Sequence, residues 1–244
     1  MGFNGALTEE RFGPKTERLA TASMSRRAAI AVIGGIFAGA AASASFGIER
    51  ASGQPGPLPQ QIYVIRHGEK PPKSSEPPFG VDFEGNRNEY SLSPRGWQRS
   101  GALAVLFSPA VAPKVGLRTP TALYAAAYGA EAVTKIHRPY ETILGLSRRL
   151  GIPIQSPDLL GQEASFADAV LSSGAEVVLV CYEHHRIPAL VAGFPTVDGA
   201  AIPSVWPDDR FDVLWTLTLD PVAGRYVFGQ VPQQLLDGDT DTVI

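Results

Sequence analysis

Only one cysteine, Cys181, occurs in the 244 residues. A lone thiol cannot close a disulfide within the chain, and no cysteine-based zinc site can form around it. Its apolar surroundings, VVLVC, predict a buried thiol. Charge is sparse as well: 18% of residues are charged and the formal net charge is −3. No Lys/Arg-rich run goes beyond single Arg-Arg pairs, so the basic surface that holds nucleic acid is missing and nucleic acid is excluded as a partner. There is no internal repeat. What the chain does have is apolar mass, 44% hydrophobic residues, enough for one sizeable core with no sign of a fibrous or disordered composition.

The first fifty residues differ from the rest. Ser25-Arg26-Arg27 precedes an uncharged stretch, Ala28 to Gly47, AAIAVIGGIFAGAAASASFG. A basic segment, an apolar segment and small residues at Ala42-Ser43-Ala44 have the layout of an export signal. SRRAAI resembles the twin-arginine export signal, with Ala29 in place of the usual Phe, and so implies the twin-arginine export machinery as a partner. Met24, just before this unit, is an alternative start to Met1. An uncleaved membrane anchor and a plain Ala-rich tail stay open as readings of residues 1–50, because the run is long enough to span a bilayer but weakly apolar for it. The expected location is therefore outside the cytoplasm, periplasmic or extracellular, or membrane-anchored. Residues 51–60, with GQPGPLP, read as a linker, and residues 61–244 as one folded domain.

In that domain short apolar segments alternate with amphipathic ones, which argues for α/β layers. Ile62 to Ile65 reads as a strand buried on both faces, ending in Arg66-His67-Gly68. Pro71 to Tyr90 is too rich in Pro, Gly and polar residues for a regular element and predicts a loop over the strand end. Ser93-Pro94 opens a helix carrying Trp97, Gly101, Leu103 and Leu106. Ala122 to Tyr128 reads as a strand, Pro139 to Leu150 as a helix closed by Gly151, Ile152 to Gln155 as a short strand and Phe166 to Leu171 as a helix. Val177 to Tyr182, VVLVCY, is a second strongly apolar strand, and it too runs into charge, Glu183-His184-His185-Arg186. Phe211 to Leu219 and Tyr226 to Val231 read as late antiparallel strands around a short turn.

Parallel strands joined by helices present their carboxyl ends at one edge, so residues distant in sequence converge there. Arg66, His67, Arg138 and His184 would form a cluster of donors and positive charge suited to an anion. Arginine's planar fork matches phosphate oxygens, and a neutral histidine is a competent nucleophile at phosphorus. The bland reading of an Arg-His pair at a strand end is a solvated edge. Four positions pointing to one edge argue against it.

Those residues resemble the histidine phosphatase superfamily, the phosphoglycerate mutase-like fold. The resemblance rests on Arg66-His67-Gly68 after a strand, Leu92-Ser93-Pro94-Arg95-Gly96-Trp97-Gln98, Arg138 in HRPYET and the histidine after VVLVCYE, and it spans most of Gln61 to Asp237. The closing segments WPDDRFDVLW and QVPQQLLDGD look like a bacterial exported subgroup. The resemblance implies a three-layer α/β/α sandwich with a mostly parallel sheet, no metal, no cofactor and a small phosphorylated substrate. His67 would become phosphohistidine, with Arg66, Arg138 and His184 gripping the phosphoryl group. His185 is the rival of His184. For the proton donor Glu163, in a loop-like GQE, is the residue that resembles the family's acid, with Asp82, Glu84 and Glu183 as alternatives. RHGEKPPK lacks the Asn often found after RHG, which argues against phosphoglycerate chemistry. Around the site, His137 reads as a helix-start residue, Trp97, Trp206 and Trp215 as packing, Arg95 and Gln98 as braces of the first helix, and Glu69 and Lys70 as residues at the pocket mouth. The implied activity is a phosphomonoesterase. A phosphotransferase of mutase type and a non-catalytic anion-binding module are the alternatives.

Overall fold

A computed structural model of the chain describes residues 56–73, 75–129 and 136–244. The expected export signal or anchor, and residues 51–55 of the linker, lie outside the described residues. Among the described residues no helix is long and apolar enough to cross a membrane.

Four strands form a parallel set: β1 (Gln61–Arg66), β2 (Ala122–Ala125), β3 (Ile154–Gln155) and β4 (Val177–Tyr182). Two more, β5 (Val213–Asp220) and β6 (Arg225–Pro232), pair antiparallel at one side, so the order across the sheet is β3-β2-β4-β1-β5-β6. Every residue of β1 and β4 is buried, which is why both read as unbroken apolar runs: a central parallel strand is covered on both faces. Two core clusters provide the cover. On one face α1 (Pro94–Leu106) and α2 (Arg138–Leu150) pack over Tyr63, Ile65, Leu179 and the buried Cys181. On the other, α3 (Glu163–Leu171) and the short α4 (Ile187–Val191) pack over Ile62, Val64, Val178 and Val180. The result is the expected three-layer sandwich with a mostly parallel sheet.

Several boundaries move. β2 ends at Ala125 rather than Tyr128, and β3 keeps only two of the four expected residues. α3 begins at Glu163, not Phe166, because an acid in the first turn suits the positive end of the helix and its Oε1 accepts from the Gly161 amide at 2.8 Å. α2 is closed as expected by Gly151 at φ 68°, with Arg148 and Arg149 in the last turn. α4 was not legible in advance; it is five residues long, and its Pro188 follows a charged tetrapeptide.

α1 is locked to the segment after β1 by two glycines. A Cβ on Gly68 would stand 3.1 Å from the Gly96 carbonyl oxygen, and one on Gly96 would stand 2.6 Å from the Glu69 carbonyl oxygen. That mutual approach gives the glycines of RHG and of LSPRG one physical reason: each is the clearance the other needs. Ser93 caps the helix by accepting from the Gly96 amide at 3.2 Å while its hydroxyl donates to the Glu69 carbonyl at 3.0 Å.

Candidate active site

β4 sits between β2 and β1, so the chain crosses the sheet there and leaves a crevice at the strand ends, the position where open α/β sheets take ligands. β1 and β4 are in register, Arg66 opposite Tyr182, and the His67 amide adds one more bond to the Tyr182 carbonyl at 3.1 Å. The two strands therefore release His67 and Glu183-His184 side by side. The imidazoles of His67 and His184 lie edge to face with centroids 6.1 Å apart.

His67 is buried, and its Nδ1 is 2.8 Å from the Gly68 carbonyl oxygen. A carbonyl can only accept, so Nδ1 carries the proton and donates. In the neutral ring Nε2 is then the atom with the lone pair. Burial, then the charge of Arg138, hold the imidazole well below its ordinary pKa of 6.5. A neutral ring with one free nitrogen is the form in which histidine attacks an electrophile.

Arg66 is fully buried. Its Nη1 donates to three backbone carbonyls, Pro207 at 3.1 Å, Asp208 at 2.7 Å and Arg210 at 3.0 Å. Its guanidinium lies 3.7 Å from the centroid of Phe211. These contacts fix the plane of the fork and occupy one nitrogen, while Nε and Nη2 are buried without a partner. Arg138, at the first turn of α2, gives one bond to the Glu89 carbonyl at 3.3 Å, and its Nε is likewise buried and unpartnered. An unmet buried donor costs about 1–3 kcal/mol, and more when charged. Three of them on two cations mark a place built for an acceptor-rich, negatively charged group. Burial is the first cause lowering both guanidinium pKa values, to about 10 for Arg66, so each is charged at neutral pH but poorly solvated.

His184 is buried, and its ring nitrogens face one carboxylate each: Nε2 is 2.7 Å from Asp208 Oδ1 and Nδ1 is 2.7 Å from Glu183 Oε1. The first is an aligned hydrogen bond; the second is a close contact whose angle falls outside hydrogen-bond geometry. Burial raises the Glu183 carboxyl, but His184 and His185 outweigh it and leave it below the usual carboxylate range. His185 is exposed, stacked over His184 at 3.9 Å and 3.6 Å from Asp208. The structure thus brings His184, not His185, against His67.

The four candidate proton donors separate. A carboxylate oxygen of Glu183 lies within 4.8 Å of ring nitrogens of both His67 and His184. Glu163, instead of lying in a loop, heads α3, and its carboxylate takes the Gly161 amide and faces Tyr182 and Arg186. Asp82 is occupied by its own turn, accepting from the Glu84 and Asn86 amides, and Glu84 takes the Asn86 side chain. Asp208 belongs to this neighbourhood; it lies in the closing segment WPDDRFDVLW, which carried the resemblance but no expected role for this residue.

The bracing residues change too. Gln98 is exposed; Arg99, one position on, is buried and bonded to Glu69 and Asp239. Glu69 is therefore a structural partner of Arg95 and Arg99 rather than a residue that meets substrate. Trp97 donates to the Val81 carbonyl at 2.8 Å and ties down the long loop, while Trp206 and Trp215 stack in the core 5.0 Å apart. His137 packs on Tyr128 at the start of α2, as a helix-start residue would.

Among the described residues two groups have the spacing to hold a metal, His67-Glu183-His184 and His184-His185-Asp208. In the first, the charges of Arg66 and Arg138 bear on His67, an arrangement that favours an anion over a cation.

Neither a protein-family model nor a curated protein matches the chain. Solved structures similar to it include a phosphoserine phosphatase from Entamoeba histolytica in complex with phosphoserine, 11% identical over 72% of this chain and 98% of that one, with a TM-score of 0.40. Also similar is the protein histidine phosphatase SixA complexed with tungstate, 18% identical over 71% of this chain and 97% of that one, with a TM-score of 0.45.

Proposed function

We propose that the protein is a metal-independent phosphomonoesterase that works through a phosphohistidine at His67. One observation carries this reading: the buried, unpartnered Nε and Nη2 of Arg66 and Nε of Arg138 belong to the two arginines whose charges bear on a neutral His67 with a free Nε2 lone pair. The arginine donors hold the phosphoryl oxygens and neutralise the charge that builds on them in the transition state. Nε2 of His67 bonds to phosphorus as the ester P–O bond breaks, and the leaving oxygen takes a proton to depart as an alcohol. Water then attacks the phosphorus of phosphohistidine, gives up a proton, and the P–N bond breaks to return neutral His67 and inorganic phosphate. Backbone donation from Nδ1 to Gly68 keeps the ring in the reactive tautomer through both steps.

The proton carrier we assign is Glu183, the candidate acid with a carboxylate oxygen against His184 and within 4.8 Å of a ring nitrogen of His67. It is ionised before substrate arrives, so it takes up one proton from solvent as the phosphate binds, passes it to the leaving oxygen, and recovers one from the attacking water. The phosphate dianion raises its proton affinity, as a like charge does. His184 is held by Asp208 and lies against Glu183, so it reaches the phosphoryl group only by exchanging one of those carboxylates for it.

The test is phosphate release from a panel of phosphomonoesters with EDTA present, together with trapping of the phosphorylated protein. His67→Ala should lower turnover by about a thousandfold or more and abolish the acid-labile phosphoprotein; retained turnover would refute the assignment. Glu183→Gln should cost far more than Glu163→Gln, and the reverse order would return the acid to Glu163. Phosphate binding without any phosphoprotein would make the chain an anion-binding module instead.

A further inference from the structure

A cavity of about 750 Å³ opens beside Arg138, lined among others by Lys70, Lys73, Phe79, Arg87 and Glu89. It is of the size that encloses a small metabolite, and Arg138 belongs both to it and to the proposed phosphoryl site. Four of its lining residues are cations and one is an acid. Of the acids nearby, Asp82 and Glu84 are turned into the loop's own amides and Glu69 is engaged by Arg95 and Arg99, while the Asp208 carboxylate bears on Lys70 from a distance. Among the described residues neither lysine nor Arg87 forms an ion pair.

The part of the wall that carries Arg87 is built, not loose. The Asn88 amide donates to the Gly80 carbonyl at 2.8 Å, Val81 bridges Arg87, and the Val81 amide reaches the Leu92 carbonyl at 2.9 Å. Gly80 is the clearance point, since a Cβ there would stand 2.1 Å from the Asn88 carbonyl oxygen. The guanidinium of Arg87 lies 3.7 Å from the centroid of Phe79, which sets its plane and leaves its N–H edge for a ligand.

From this placement we propose that the leaving group of the substrate carries a second anionic group, so that the enzyme acts on small molecules with a phosphate ester at the His67 site and a further phosphate or carboxylate held by Lys73 and Arg87. This rests on the phosphatase reading and adds the substrate class to it. A neutral alcohol would leave the cations of this wall with water alone, whereas a second anion gains charge-assisted hydrogen bonds from each.

The experiment compares kcat/KM for glucose 1,6-bisphosphate, glucuronic acid 1-phosphate, glucose 1-phosphate and p-nitrophenyl phosphate, in the intact chain and in Lys73→Ala/Arg87→Ala. The doubly anionic substrates should exceed glucose 1-phosphate by about tenfold or more, and the ratio should fall towards one in the variant. Preference for the bisphosphate over the carboxylate, or the reverse, identifies the second group. Turnover of p-nitrophenyl phosphate with a ratio near one in the intact chain overturns the substrate class and leaves the phosphatase reading standing. If nothing is turned over, the phosphatase reading fails by itself. Calorimetry of the same sugar phosphates on His67→Ala protein then decides the preference: tighter binding of the doubly anionic ligands sustains it, and equal binding overturns it.

Discussion

Two arginines are buried in this molecule among different company. Arg99, on α1, gives its fork to Glu69 at 2.8 Å and to Asp239 at 2.7 Å, and Asp239 also takes the Leu235 and Leu236 amides. The pair of carboxylates outweighs burial and raises its pKa. Arg66 is as deeply buried but is held by neutral carbonyls through one nitrogen, and its other two donors have no partner. A buried charge whose valences are all met is a clasp, here joining α1, the segment after β1 and the tail after β6. One whose valences are left over is a site. The difference in hydrogen-bond accounting, not in burial, separates structure from function.

That distinction can be broken most forcefully at the clasp. Arg99→Met leaves Glu69 and Asp239 facing each other with little exposure, and should cost about 3–5 kcal/mol of stability in denaturant unfolding. A loss below about 1 kcal/mol would show that the clasp is solvated and that its pairing means little. The second blow falls on the site. Arg66→Lys keeps the charge but removes the fork, and should lower kcat/KM about a hundredfold, near 2.7 kcal/mol. It should also abolish the stabilisation that inorganic phosphate gives the intact protein, which reaches about 2.7 kcal/mol at a hundred times the dissociation constant. If Arg66→Lys keeps that stabilisation, the unpartnered donors are not where the anion binds.

The sequence was informative where burial is two-sided and continuous. β1 and β4 declared themselves as IYVI and VVLVCY because central parallel strands are apolar throughout, and their charged exits then pointed to one sheet edge. It was silent where a contact depends on distant chain. Asp208 meets His184, and the carbonyls of Pro207, Asp208 and Arg210 meet Arg66, across more than twenty and more than a hundred and forty residues, from a segment with no periodicity of its own. Arg99 was missed for a subtler reason. Arg95 and Arg99 are four apart and share a helix face, both reaching Glu69, but phase alone does not say which of the polar residues on α1 is the buried one. Glu163 was placed by sequence spacing after Arg138. Its local bond to the Gly161 amide, invisible in that spacing, turns it to the head of α3.

The smallest effect sharpens the comparison from the side of His67, the proposed nucleophile. His67 is neutral in the folded protein to well below pH 6.5, because burial and then Arg138 disfavour the imidazolium, while in the unfolded chain it takes up a proton near that value. Below pH 6.5 the unfolded state therefore binds more protons at this position, so stability falls as pH falls through that window and is unaffected above it. His67→Gln cannot titrate. The carboxyls with lowered pKa values, Asp82, Glu183, Asp208, Asp212 and Asp239, lose their contribution only below the ordinary values of 4.5 and 3.8, and the groups distant from residue 67 do so alike in both proteins. Unfolding free energies measured from pH 7.5 to 5 should fall more steeply for the intact protein than for His67→Gln. Parallel curves would mean that His67 titrates in the fold as it does in water, and the buried neutral nucleophile would be lost with it.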